Sequence, residues 1–469
     1  MNSQMNTAME ISRRSFLGGA FSFGTLAIGG CAFRAPTGLL SGAGAKLTFG
    51  VVSDLHVGEG RGDFKKFGDA SQFEKTLRWF DEQGVDGVIV AGDMAENGML
   101  NQLEPIGAAW FRVFPDGKSA RDGRPVEQLF VYGNHDFEGQ GYYKYATLYP
   151  DRESFESFWI RRDPAKAWRD VFHEEYSPIW MKTVKGYQFV GAHWSLGKDP
   201  WGGIPEVEPW FRDNAAKIDR TKPFFFIQHI HPQNTVYANP NLKPGKGTDR
   251  GYATRALSAF PNAIAFSGHT HASLTDERSI WQGAFTSVGT SSLRFGGNAN
   301  KWEQRQGLLV KVYDDRVVLV RRDFLHDQSL GDDWVVPLPA CRGDEVRPFA
   351  FETRAKKNLP PEFAAGAKLA VTRKEDGWLL TIPCADAAKT RSFRYEIATG
   401  LKDKTGKPVV FIAWDAKYNM PRTMAGAPTK YLVKDEKLPK DADGNPQTPT
   451  FTVTPLDAFG VRGKSIAIG

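Results

Sequence analysis

The sequence predicts an α/β domain over residues 46–340 joined to a smaller all-β domain over residues 346–469, behind an N-terminal leader of residues 1–45. Three observations carry this reading. Short apolar runs alternate with helix-patterned segments as far as about Ala340, helical periodicity disappears beyond about Val346, and Pro348, Pro360 and Pro361 stiffen the connection. The composition agrees: 469 residues that are 41% hydrophobic and 24% charged make a globular chain with a large core, and exclude a collagen, a coiled coil or a disordered tail.

Residues 46–52 (KLTFGVV) read as the first strand. Ser71 and Glu74 have the spacing of a capping box, opening a helix on which Phe73, Leu77 and Phe80 share one face and which Gly84 ends. Further short strands are expected at 86–91 (DGVIVA), 128–132 (QLFVY), 188–192, 223–227 (PFFFI) and 263–266, each running directly into polar residues. Residues 308–313 and 317–321, on either side of Asp314-Asp315, read as a hairpin that closes the domain. In the C-terminal part, 368–372, 378–383, 392–397, 408–414 and 451–453 have strand length and turn punctuation, which points to a β-sandwich of about 120 residues. Residues 434–445 read as a charged, solvated loop.

Residues 12–18 read SRRSFLG and lead into an uncharged run rich in Gly and Ala, so the leader resembles a twin-arginine export signal through Arg13 and Arg14. The run is too short and glycine-rich for a membrane anchor, and no later segment approaches 18 apolar residues. Ile28-Gly29-Gly30-Cys31 resembles a lipoprotein cleavage box and Ala43-Gly44-Ala45 offers an ordinary one. The chain is thus expected in the periplasm or cell envelope, attached to a membrane only if Cys31 is lipidated. In the exported body Cys341 and Cys384 form either a disulfide, worth about 3–4 kcal/mol by the chain-entropy argument, or two free thiols. Of the formal charge of +6, Arg13, Arg14 and Arg34 against Glu10 supply +2; with no lysine-rich run or basic helix, the signature of a nucleic-acid binder is missing. The 13 Trp and 13% aromatics are read mainly as core and domain-interface packing, with stacking platforms for a substrate as the other use.

Polar clusters stand at the ends of the expected strands: Asp54-Leu55-His56, Gly92-Asp93, Gly133-Asn134-His135-Asp136, Gln228-His229-Ile230-His231 and Gly268-His269-Thr270-His271. In α/β proteins, loops leaving several strands at their C-terminal ends converge on one crevice. Carboxylate and imidazole ligands suit Fe, Mn and Zn, and a two-residue spacing in extended chain puts both side chains on one side. Glycine before Asp93, Asn134 and His269 permits close backbone approach. Any one piece alone is more often a capped turn or a hydrogen-bonded loop histidine; it is the ordered set that points to metal chemistry. His173, His193 and His326 stand outside these clusters and read as ordinary core or surface residues.

As an ordered set over residues 48 to about 295, DLH, GD, GNHD, H and GHTH resemble the calcineurin-like metallophosphoesterase superfamily, in particular exported bacterial members with a C-terminal β-sandwich. The resemblance implies a four-layer fold, a β-sandwich flanked by helices, and two metal ions (Mn, Fe or Zn). Carried over residue by residue, one ion would be held by Asp54, His56, Asp93 and His271, and the second by Asp93, Asn134, His229 and His269, with Asp93 bridging. His135 would be the acid histidine and Asp136 would orient its neighbours. Relatives often have two adjacent histidines before a proline after the strand corresponding to 223–227. Here Ile230 intervenes before His231-Pro232, and His229 is preferred because it directly follows the strand and Gln228. Met94, Ala95, Glu96 and Asn97 follow Asp93 without the tyrosine of a purple acid phosphatase, so a ferric-tyrosinate centre is not expected. Tyr142, Tyr143 and Tyr145 either line the pocket or pack in the core.

The expected activity is in-line hydrolysis of a phosphate ester by metal-bound water with a histidine general acid, more often of a diester than a monoester because no lysine or arginine clamp for a dianion is evident. The alternatives are a phosphomonoesterase of the same superfamily, or a cell-surface protein whose β-sandwich binds glycan or envelope polymer beside a vestigial catalytic domain. The sequence leaves the oligomeric state open.

Overall fold

The computed structural model describes residues 44–58, 69–138, 159–194, 203–236, 248–296, 302–340, 347–386, 390–415, 418 and 428–468. The leader with Arg13, Arg14 and Cys31, the three tyrosines at 142, 143 and 145, and Cys341 lie outside them. Among the described residues no helix is long and apolar enough to cross a membrane. Cys384 is a half-buried free thiol, pushed up to about 12 by burial and the neighbouring Asp386.

Two sheets face each other. In the first, β1 (Leu47–Val52) pairs in parallel with β2 (Gly87–Ala91), which pairs in parallel with β3 (Glu127–Val131). The second contains β4 (Ile179–Val184), β5 (Tyr187–Ala192), β6 (Phe224–Ile227), β7 (Ala263–Ser267), β8 (Ile280–Gln282) and β9 (Thr286–Gly289), in the order β4-β5-β6-β7-β9-β8. The strand pattern explains the layers. Successive side chains point to opposite faces, so Phe49, Val51, Ile89, Leu129, Phe189, Phe225, Ile227, Ile264 and Phe266 meet between the sheets. Their neighbours Val52, Val88, Val90 and Phe130 turn outward onto α1 (Ser71–Glu82), α2 (Leu100–Val113), α3 (Asn134–Glu138) and α4 (Pro164–Phe172). On the other side Phe224, Phe226, Ala263 and Ala265 meet α5 (Val207–Asn214) and α6 (Tyr252–Leu257). The outcome is a four-layer helix–sheet–sheet–helix arrangement, built from strands buried on both faces.

The α1 face is as read from the sequence, with Phe73, Leu77 and Phe80 buried. Its capping box is not formed. The helix begins at Ser71, so Ser71 is its first residue rather than its cap; the Ser71 N–H is taken by Asp69 Oδ1 at 2.8 Å, and Glu74 turns outward to Arg78 and Arg112. The 308–321 hairpin is formed as read from the sequence. After a short ribbon of β10 (Phe295–Gly296) and β11 (Trp302–Glu303), β12 (Gln306–Val312) inserts antiparallel against β1, and β13 (Arg316–Asp323) continues outward to β14 (Gln328–Ser329) and β15 (Trp334–Pro337). Buried Leu308, Val310, Val317 and Leu319 make the hairpin part of the central core. Trp110 and Trp168 are likewise core residues.

The C-terminal region is all-β apart from α7 (Phe351–Lys357), a helix too short to display periodicity in the sequence. One sheet runs β16-β17-β20 (Ala370–Lys374, Gly377–Ile382, Thr429–Lys434) and the other β19-β18-β21-β22 (Pro408–Trp414, Arg394–Lys402, Thr452–Leu456, Ile466–Ala467). Leu380, Ile382 and Val433 of the first pack against Tyr395, Ile397 and Val453 of the second. Strand β20 had no sequence-based counterpart, because its alternation is masked by lysines.

Candidate metal centre

Each polar cluster leaves the C-terminal end of a parallel strand: Asp54 and His56 after β1, Asp93 after β2, Asn134 to Asp136 after β3, His229 after β6, His269 and His271 after β7. The backbone is bent hard there. Asp54, His56, Asp93, His269 and His271 are non-glycine residues with φ of 53°, 45°, 52°, 72° and 52°. Such a conformation costs about 1 kcal/mol or more per residue and persists only where surroundings enforce it, which is common at functional sites. Close approach explains two of the glycines: a Cβ on Gly133 would run into Asp93 Oδ1, and one on Gly268 into Asp54 Oδ2.

The side chains converge. His271 Nε2 lies 2.9 Å from Asp54 Oδ1 and 3.0 Å from His56 Nε2, and His56 Nε2 is 3.8 Å from both Asp54 Oδ1 and Asp93 Oδ2. On the other side of Asp93, His229 Nε2 stands 3.1 Å from Oδ2 and 3.2 Å from His269 Nδ1, and His269 Nδ1 is 2.8 Å from Asn134 Oδ1. Asp54, His56, Asp93 and His271 thus form one compact donor group, and Asp93, His229 and His269 a second that shares Asp93. Asn134 extends the second group. All except His269 are buried.

His231 is brought elsewhere. Its Nδ1 and Nε2 face Ser267 Oγ at 2.7 Å and Thr270 Oγ1 at 2.9 Å, and burial with the nearby His269 holds it down at about 3. His135, in contrast with its neighbours, is partly exposed. Its N–H donates to Asp93 Oδ1 at 2.8 Å and its Nδ1 faces the Glu96 carbonyl at 2.8 Å. Asp136 is fully buried and accepts from the N–H groups of Gly133, Ala95 and Met94 at 2.8, 2.7 and 3.3 Å, tying the loop after β2 to the loop after β3. Burial, with the charge of Asp93, pushes Asp136 up to about 7. Outside the clusters, His193 is a core residue, His173 stacks on Phe111 and His326 pairs with Asp323.

Several participants were not read from the sequence. Glu96 Oε2 stands 2.9 Å from His56 Nδ1, behind the ring. Ser53 Oγ donates to Asp54 Oδ2, and the His269 N–H reaches both Asp54 oxygens at 3.1 Å. Gln304 Nε2 donates to the His271 carbonyl at 3.0 Å. Phe295 lays its ring 4.5 Å from that of His271 and 5.2 Å from that of His56, and Arg294 donates to the His56 carbonyl. These partners come from up to 238 positions away, so local spacing could not signal them. Ser53, beside Asp54, and Glu96, three residues after Asp93, were the two within reach.

The charge balance fits metal ions. Burial raises the carboxylates of Asp54 and Asp93, but surrounding imidazoles win and hold both well below the usual range. Reciprocally, burial is outweighed at His56 and His229, which the carboxylates raise to about 10 and about 9, while His269 stays at about 4 through burial and the charge of His229. Two buried carboxylates whose countercharge comes from protonated imidazoles are a set that a cation can neutralise directly, with release of those protons.

Residues 47–273 match the family model of the calcineurin-like phosphoesterases, and this segment is a calcineurin-like phosphoesterase domain. Among solved structures it is similar to a dimetal phosphatase from Danio rerio (11% identity, TM-score 0.36, covering 62% of this chain and 99% of that one). It is also similar to the purple acid phosphatase PPD1 of yellow lupin seeds (15%, 0.41, 62% and 53%) and to a putative 5'-nucleotidase from Staphylococcus aureus (12%, 0.30, 62% and 54%). A comparison with curated proteins gave no match.

Proposed function

We propose that the chain is an exported phosphoesterase that uses two metal ions and prefers phosphodiesters to monoesters. The observation that carries the reading is the shared carboxylate: Asp93 lies between a group made by Asp54, His56 and His271 and a group made by Asn134, His229 and His269. These residues would hold one ion on each side. Ions bound there supply positive charge to the phosphoryl oxygens and a lowered water pKa. The chain's own contribution is proton handling and alignment. His135, partly exposed beside Asp93, holds its Nδ1 proton on the Glu96 carbonyl, which leaves Nε2 to carry a proton to the leaving oxygen. No serine or cysteine nucleophile is needed.

The diester preference rests on charge. The described side chains in hydrogen-bond contact with the cluster are His, Asp, Asn, Glu and Ser, while Arg294 reaches it through a backbone carbonyl. A dianionic monoester ordinarily calls for paired cations. Export rests on Arg13 and Arg14 in SRRSFLG; the twin-arginine route carries folded protein and permits metal loading before export. Metal analysis of purified protein, with turnover of bis-p-nitrophenyl phosphate and p-nitrophenyl phosphate side by side, tests the enzyme. Faster monoester turnover would overturn the diester preference, and a metal-free, inactive protein the whole reading. Arg13→Lys with Arg14→Lys should leave precursor inside the cell; normal export would remove that part.

A further inference from the structure

The loop from His271 to β8 is fastened at both ends. Near the cluster, Gln306 Oε1 accepts from the Leu274 N–H at 2.8 Å and from Ser273 Oγ at 3.2 Å, and Gln304 holds the His271 carbonyl. A few residues on, buried Asp276 caps a single turn, Glu277–Ser279, accepting from the Arg278 N–H at 2.9 Å. It also takes the Arg278 guanidinium on both oxygens, Nε to Oδ1 at 3.0 Å and Nη2 to Oδ2 at 2.6 Å.

The far side of this turn belongs to the C-terminal region. The Arg278 guanidinium carbon lies 4.3 Å from the centre of the Phe393 ring and 5.3 Å from that of Tyr418. Arg354 of α7 donates to the Glu277 carbonyl, and Asn358 Nδ2 bridges Glu277 Oε2 at 3.4 Å and Asp457 Oδ2 at 2.9 Å. Gln282 and Phe349 exchange hydrogen bonds of 3.2 and 3.0 Å. Residues 276–282 are therefore gripped from α7, from β18's approach and from the turn after β21. His269 and His271, with φ of 72° and 52°, sit at the other end of the same short loop. Backbone in that region holds its shape only when the surroundings over-determine it.

We propose that the C-terminal sheets are a positioning element of the metal centre, acting through Arg278 and Arg354 on the loop that carries His269 and His271. The inference rests on those histidines being ligands, as proposed above. Arg278 and Arg354 are positioning residues: the contacts named above are with Asp276, Glu277, Phe393 and Tyr418, and their effect is read in metal affinity. Partners that orient ligands from behind are typically worth about 10- to 100-fold in metal affinity.

The test uses the full chain. Mn2+ binding is measured by calorimetry for wild type, Arg278→Met and Phe393→Ala, each checked for a folded far-UV spectrum at the working temperature; Phe393→Ala attacks the same contact from the other side should Arg278→Met fail to fold. The expected result is an Mn2+ dissociation constant raised about tenfold or more, with lost activity restored at high Mn2+, a rescue that mere loss of stability would not give. Unchanged Mn2+ affinity in folded variants with lowered melting temperatures would overturn the proposal. A wild-type chain that binds no Mn2+ would sink the ligand assignment itself, and is seen before any variant is compared.

Discussion

Glu96 Oε2 stands 2.9 Å from His56 Nδ1, while the opposite nitrogen of the same ring faces His271 Nε2 at 3.0 Å. The carboxylate therefore fixes both the rotation of the imidazole and the side on which it keeps a proton, leaving Nε2 as the donor turned into the cluster. Glu96→Gln keeps the shape and removes the charge. It should weaken metal binding by about 10- to 100-fold, the usual worth of a carboxylate behind a ligating histidine. Competition with a metal-chelating dye reads this directly, and an unchanged affinity would show that Glu96 serves only to pack the loop.

Asp93 differs from every other donor in belonging to both groups, 3.8 Å from His56 Nε2 and 3.1 Å from His229 Nε2. It also accepts the His135 N–H at 2.8 Å. Asp93→Ala should strip metal from both sides and slow turnover of every ester, good or poor leaving group alike. Full metal content in the folded variant, measured by elemental analysis, would contradict a shared carboxylate.

The strand-end donors were legible in the sequence because a parallel strand forces its ligands into the few residues that follow it: DLH, GD, GNHD and GHTH each occupy one such exit. The core was legible for a similar reason, since Gly87–Ala91 and Phe224–Ile227 are continuous apolar runs that suit a strand covered on both faces. What escaped depends on distance along the chain. Gln304 under His271, Arg294 on the His56 carbonyl and Arg278 against Phe393 join segments with no common local pattern. The capping box at Ser71 failed because an alternative acceptor, Asp69, lies two residues earlier and takes the same N–H.

His193 gives the fold a pH dependence separate from the metal cluster. It is buried among Tyr132, Trp168 and Tyr176, its Nδ1 accepts the Tyr132 N–H at 3.1 Å, and burial, helped by Lys182, holds it down at about 3. In the unfolded chain an ordinary histidine protonates near 6.5. The folded value is the lower one, so the unfolded chain takes up the proton first as pH falls. The stabilisation is complete above about pH 6.5 and is lost on descent towards pH 3, at about 1.4 kcal/mol per unit. His193→Asn retains an acceptor for Tyr132. Its unfolding free energy should fall less than that of wild type between pH 7.5 and 5.5, by about 1.4 kcal/mol. Parallel pH profiles in urea melts would exclude His193 as the source.

The last expectation separates proton donation from metal holding. His135 is partly exposed where its neighbours are buried, and its ring stands edge-on to that of His56 with centroids 4.6 Å apart. Its Nδ1 is committed to the Glu96 carbonyl, so the ring is held in place outside the two donor groups that share Asp93, in a third compact set with His56 and Glu96. Burial lowers its pKa, partly offset by the charges of Asp93 and Glu96, which makes the imidazolium a readier donor than a free histidine. His135→Ala should then keep its metal and lose about two to four orders of magnitude on esters with alkyl leaving groups. Esters of p-nitrophenol, whose phenolate leaves without a proton, should suffer much less. The comparison of the two series in one metal-replete preparation is what decides. An equal loss on both would mean that His135 steadies the phosphoryl oxygens, because charge stabilisation is felt whatever the leaving group, whereas a proton is missed only by a leaving group that needs one.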